Sequence, residues 1–149
     1  MPNTPPGICR TEGAIVKLGL SRTYRGAGFD EVMARTRAAL AAAGFGVLTE
    51  IDVQATLREK LDERMERYTI LGACNPALAH RALEATREIG LLLPCNVVVR
   101  ENGAGETVVE AINPAVMAEV APAAGVSEVA GEAAELLESA LNAVDRELA

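Results

Sequence analysis

Residues 95–112 read CNVVVRENGAGETVVEAI, and this stretch decides the fold. Cys95 to Glu101 and Thr107 to Ile112 are two runs rich in Val, with Thr and Ile, residue types that fit a pleated, half-buried surface. Between them Asn102, Gly103, Ala104, Gly105 and Glu106 have the composition of a hairpin turn. Strands joined this closely pair antiparallel. Arg100 and Glu110 sit inside these runs, and Lys17 and Glu50 inside two other strand-like segments. Strands of a parallel sheet are buried on both faces and read as unbroken apolar runs, so these charges argue against one. The predicted class is a two-layer α+β domain, an antiparallel sheet with helices on one face.

Toward the N-terminus, Val16, Leu18 and Leu20 alternate with Lys17, Gly19 and Ser21, which predicts a strand with one buried face. A turn at Arg25 to Gly28 leads to Asp30, read as the cap of a helix carrying Val32, Met33, Thr36, Ala39, Leu40 and Ala43 at helical spacing and closed by Gly44. Gly46 to Asp52 reads as a second strand, with Asp52 capping a helix whose Val53, Leu57, Leu61 and Met65 step by four. Tyr68 to Ala73 is a third strand. Asn75 followed by Pro76 is a strong helix start, because Asn accepts from a free backbone amide and Pro at the first position loses no hydrogen bond. Leu78, Ala79, Ala82 and Leu83 form that helix's inner stripe.

Beyond the hairpin, Asn113 and Pro114 open an Ala-rich link broken by Pro122 and Gly125. A final helix follows, with Val129, Ala133, Leu136, Leu137, Ala140, Leu141, Val144 and Leu148 on one stripe. The predicted organisation is a flexible leader at 1–13, an α+β domain at 14–117, and a linker with an acidic amphipathic helix at 118–149. That helix is expected to pack on its own sheet, with a subunit contact as the alternative use of its stripe.

At 149 residues the chain has room for one domain with a substantial core. Half of its residues are hydrophobic and 23% charged, which excludes disorder as a whole-chain reading. Aromatic residues are only 3% (Tyr24, Tyr68, Phe29, Phe45), so stacking platforms for nucleic-acid bases are scarce. The net charge of −7 makes nucleic acid and anionic membranes poor partners. Six acids against Arg146 place −5 of that charge in Ser127 to Ala149, leaving −2 elsewhere. The longest apolar stretch, Leu91 to Val99, is broken by Pro94 and falls far short of the ~20 residues a spanning helix needs. Met1 to Gly13 has three prolines and no apolar run, unlike a secretory signal. The chain is therefore expected to be cytosolic, with its three cysteines as thiols and not permanent disulfides.

Three blocks, GFGVLTEIDV at 44–53, ILGACNPALAHRAL at 70–83 and IGLLLPCNVVV at 89–99, closely resemble the bacterial and archaeal family called domain of unknown function three-hundred-and-two. The resemblance covers roughly Ala14 to Met117, and ACNP and LLPCN are its most specific strings. It implies a TATA-binding-protein-like α+β arrangement: a strand, a helix, four further strands and a closing helix, with extra helices between strands. It brings no established reaction, substrate or cofactor.

The best chemical constellation is Cys74, His80 and Cys95. Cys74 directly precedes the capping Asn75, where the helix dipole and free amides favour a thiolate. Antiparallel pairing of the third and fourth strands brings the end of one to the start of the next, and so Cys74 toward Cys95. His80 lies about a turn and a half into the intervening helix and would join them if its face turns that way. Two thiols beside an imidazole suit nucleophilic attack, reversible redox chemistry or soft-metal binding. The spacing, five residues and then fourteen, matches no standard zinc or CxxC pattern. The plainer reading makes both cysteines small buried hydrophobes at strand ends, and Cys9 is incidental.

Gly26 and Gly28 resemble the start of a dinucleotide fingerprint, but Glu31 replaces the third glycine and Asp30 adds charge where a phosphate would sit. Glu50 and Asp52, two apart on one strand, read as its solvated side. Two functions are expected: a small binding or interaction module, homodimeric by the prevalence of symmetric pairs, whose half-polar sheet or edge receives a partner or small ligand; or a thiol-dependent redox or metal-binding protein in which Cys74, Cys95 and His80 act together.

Overall fold

The computed structural model describes residues 16–148. The leader at 1–13, with Cys9, lies outside the described residues. The strands are β1 (Gly19–Tyr24), β2 (Gly46–Asp52), β3 (Tyr68–Cys74), β4 (Cys95–Glu101) and β5 (Thr107–Ile112). They form one sheet in the order β1-β5-β4-β3-β2, antiparallel at every pairing. Helix α1 (Phe29–Ala42) follows β1, and α2 (Val53–Leu61) follows β2. A longer connection holding α3 (Pro76–Ala85) and a 3₁₀ segment, Arg87–Leu92, joins β3 to β4. The chain closes with α4 (Ala115–Val120) and α5 (Val126–Leu148).

The hairpin that decides the class forms as read. The Asn102 amide donates to Glu106 O at 3.2 Å, and Asn102 Oδ1 accepts from the Ala104 amide at 3.0 Å. Gly103 and Gly105 take φ of +79° and +76°, a region glycine enters without a Cβ clash.

Register sorts the sheet's two faces. Leu20, Ala111, Val97 and Leu71 lie in one row on the inner face, beneath α1 and the second half of α5. With Val32, Leu40, Leu137 and Val144 they build the main core. Burying a side chain of this kind is worth about 1.5–3 kcal/mol against leaving it exposed. On the opposite face Ser21, Glu110, Val98, Ile70 and Ile51 form a row that runs from polar at β1 to apolar at β2. A second cluster, Leu78, Ala82, Ile89, Met117, Val126 and Val129, joins α3, the 3₁₀ segment and α4 to the first half of α5.

The acids of α5 have partners on the rest of the fold. Arg22, on the inner face of β1, donates from Nε to Asp145 at 2.9 Å and from Nη2 to Glu138 at 3.1 Å. Tyr24 donates its hydroxyl to Asp145 at 2.7 Å. Arg81 pairs with Glu132 at 2.5 Å and Arg35 with Glu147 at 3.4 Å. The charge concentrated in this helix therefore complements arginines of β1, α1 and α3.

Three local expectations shift. The first strand begins at Gly19, three residues later than Val16, because the last β5 residue in register, Ile112, pairs with Gly19. Leu18 is left 72% exposed, and Leu20, Arg22 and Tyr24 supply the inner face. The cap of α1 is Gly28, because burial of Phe29 draws the helix start back. Asp30 lies instead in the first turn and accepts from Arg67 at 2.9 Å, while the Arg67 guanidinium stacks 3.9 Å over the Phe29 ring. Helix α2 has its expected Asp52 cap, with Asp52 Oδ1 accepting from the Ala55 amide at 2.9 Å. It buries none of its residues, however, and stops at Leu61 because Asp62 turns left-handed at φ 53°.

Candidate functional site

The Asn75–Pro76 start folds as its chemistry requires. Asn75 Oδ1 accepts from the Leu78 amide at 3.1 Å, and Pro76 opens the helix. This fixes the chain just after Cys74, the last residue of β3. The β3–β4 register pairs Ala73 with Cys95, so Cys74 lies one residue past the direct partner of Cys95.

Both cysteines line one narrow cleft of about 350 Å³, counting its mouth. Its walls come from α3 (Leu78, Ala82), α5 (Val129, Ala133), the approach to β4 (Leu93, Pro94) and Phe45. Cys74 is half-buried, and Cys95 is 7% exposed. Burial, together with the neighbouring Cys74, pushes the Cys95 thiol up to about 11. At neutral pH Cys95 is therefore a protonated, sheltered thiol, and Cys74 is the one nearer solvent.

His80 does not join them. It lies on the outer side of α3 with its side chain 74% exposed, and its Nε2 stands 3.7 Å from Glu84 one turn along. The residues of α3 that line the cleft are Leu78, Ala79 and Ala82, which leaves position 80 facing away. Among the described residues no group of three or more His, Cys, Asp and Glu could hold a metal ion. The constellation of Cys74, His80 and Cys95 thus reduces to its two sulfurs.

Sequence reasoning missed Met117, which also lines the cleft and is 5% exposed. It sits on α4, inside what reads as an unstructured link. The available signal was Asn113–Pro114, a second Asn-Pro pair, whose Asn113 Oδ1 accepts from the Ala115 amide at 3.1 Å just as α4 begins. The two carboxylates of β2 have structural partners: Arg37 donates to Glu50 at 2.5 Å, and Asp52 caps α2.

The model of the family described as Domain of unknown function DUF302 matches residues 20–144. The chain belongs to this family. The DUF302 match runs into the acidic helix, further than Met117, where the resemblance in the sequence blocks ends. A crystal structure of an uncharacterized conserved DUF302 protein from Bacillus stearothermophilus is similar, with a TM-score of 0.80, 26% identity, and coverage of 87% of this chain and 99% of that one. No curated protein matches the chain. Membership in DUF302 supports the antiparallel α+β fold and assigns no reaction.

Proposed function

We propose that the protein is a small cytosolic binding module whose ligand is taken in the cleft by Cys74 and Cys95. The observation that carries this reading is the convergence of both described cysteines on one apolar cleft, one thiol sheltered and the other nearer the mouth. Free thiols in such a setting bind thiophilic ligands, and each is too sparsely surrounded by polar groups to work as an acid–base device.

Phenylarsine oxide tests the reading, since its arsenic exchanges one oxygen for two sulfurs, releasing water, only when both thiols reach it. In a reduced Cys9→Ser chain the expected result is one tightly held arsenical per chain and a raised melting temperature, both lost in Cys74→Ala and in Cys95→Ala. An unshifted melt with no adduct in the folded chain would overturn the proposal.

A second reading, assembly as a homodimer through β2, is favoured by a separate observation. Every residue of this edge strand except Val47 is exposed, and Leu48 and Ile51 stand 67% and 48% exposed. An open edge with unpaired amides and carbonyls is a template for another strand. Antiparallel pairing of β2 with its own copy about a two-fold axis is self-complementary. It would also extend the apolar half of the open face across the axis. Sedimentation of the chain at high micromolar concentration should give a dimer, and Leu48→Lys with Ile51→Lys a folded monomer. A monomeric parent chain contradicts it.

A further inference from the structure

Three sulfur-bearing residues, not two, line the cleft. Cys74 comes from the end of β3, Cys95 from the start of β4, and Met117 from α4. We infer that these three side chains form a site for a soft monovalent cation of the Cu(I) and Ag(I) class, bound by two thiolates and one thioether. The inference rests on the dithiol reading of the cleft and extends it to a ligand class.

The donor set selects the ion. Thiolate and thioether ligands favour Cu(I), whereas Mg²⁺ and Ca²⁺ require oxygen ligands. The other lining residues are apolar apart from Asn75, whose side-chain oxygen is already engaged by the Leu78 amide. Structural zinc takes four donors from Cys, His and carboxylates, and His80 points away from the cleft toward Glu84. A low-coordinate soft ion needs only what is present. The space also fits: behind its mouth the cleft has room for a body the size of about one or two water molecules.

Charge and proton balance are consistent. Two Cys–SH groups and M⁺ give a bis-thiolate complex carrying one negative charge and release two protons to solvent. No electron changes hands. The complex's negative charge lies beside the N-terminus of α3, a ten-residue helix whose positive dipole end stabilises it.

Anaerobic titration of reduced Cys9→Ser protein with Cu(I), against a colorimetric Cu(I) chelator, reads the affinity directly. One equivalent per chain is expected, with the ultraviolet charge-transfer band of copper thiolate. Met117→Leu keeps the volume and removes the sulfur; it should weaken binding by at least about tenfold, the scale of losing even an outer-shell group, while the arsenical adduct and melting curve stay as in the parent. Cys74→Ala and Cys95→Ala should weaken it further. His80→Ala should leave it unchanged, and Zn(II) should fail to displace Cu(I). Parent-like Cu(I) affinity in Met117→Leu, or displacement by Zn(II), overturns the three-sulfur site even if the arsenical still bridges the cysteines. Failure of the arsenical to bridge overturns the dithiol reading beneath it.

Discussion

Thr36→Val should make this protein more stable. Thr36 lies in the middle of α1, 2% exposed, and its hydroxyl has no hydrogen-bond partner. Its surroundings are aliphatic: Leu40, Val97, Ala111, Leu137, Ala140 and Val144. A buried, unpaired hydroxyl costs about 1–3 kcal/mol. Valine has nearly the same shape, and its helix propensity matches that of threonine, so backbone terms cancel and the desolvation penalty is what changes. The expected gain is therefore about 1–3 kcal/mol, or roughly 3 °C in melting temperature for each kcal/mol in a chain of this size. Urea unfolding at pH 7 measures it, with an unchanged m-value showing that the same surface is exposed. A destabilised variant would mean that the hydroxyl is satisfied in the folded state, and the inventory of polar groups in this core would be wrong.

Further expectations concern other parts of the fold. A Cβ on Gly72 would collide with Thr49 Oγ1 and come within 2.9 Å of Pro94 Cγ, so Gly72→Ala should cost about 1–3 kcal/mol; thermal melts should show part of this recovered by adding Thr49→Ala, and no recovery would refute the contact. The Cys95 thiol is raised from 9.0 to about 11, so the unfolded chain loses that proton first. Its contribution is complete below pH 9 and is lost between pH 9 and about 11, about 2–3 kcal/mol at 1.36 kcal/mol per pH unit. Urea midpoints across this range should fall less in Cys95→Ala than in the parent, and equal falls would contradict the burial. Asp145→Ala removes the partner of both Arg22 and Tyr24 and should cost about 1–2 kcal/mol for this half-exposed carboxylate; a neutral result in chemical denaturation would deny α5 its polar anchor on β1.

The hairpin at 95–112 was legible because turn composition and strand composition agree there, and antiparallel pairing follows from loop length alone. Asn75–Pro76 and Asp52 were legible for the same local reason, since each cap acts within three residues of itself. Elements whose limits depend on distant partners were less so. The start of β1 is set by where β5 ends, and the start of α1 by the burial of Phe29, neither of which leaves a mark in the adjacent residues. Helix α2 shows the converse, an apolar period that the fold leaves unburied. At the site, β3–β4 register brings the end of β3 to the start of β4, with Cys74 one residue past the partner of Cys95. His80 lies off the Leu78, Ala79, Ala82 and Leu83 stripe that the helical period marks, and the fold turns that stripe, not His80, toward the cleft. Met117 left only the Asn113–Pro114 helix start as a signal, because α4 is six residues long, too short for a period to register.

Whether Cys74 and Cys95 open into a single cleft is read by a fluorogenic dibromide that lights up only after alkylating two thiols in the same molecule. Applied to folded, reduced Cys9→Ser protein, it should give one fluorescent link per chain joining the peptides of Cys74 and Cys95. Singly alkylated Cys74 with an untouched Cys95, and no fluorescence until the chain is unfolded, would contradict the shared cleft.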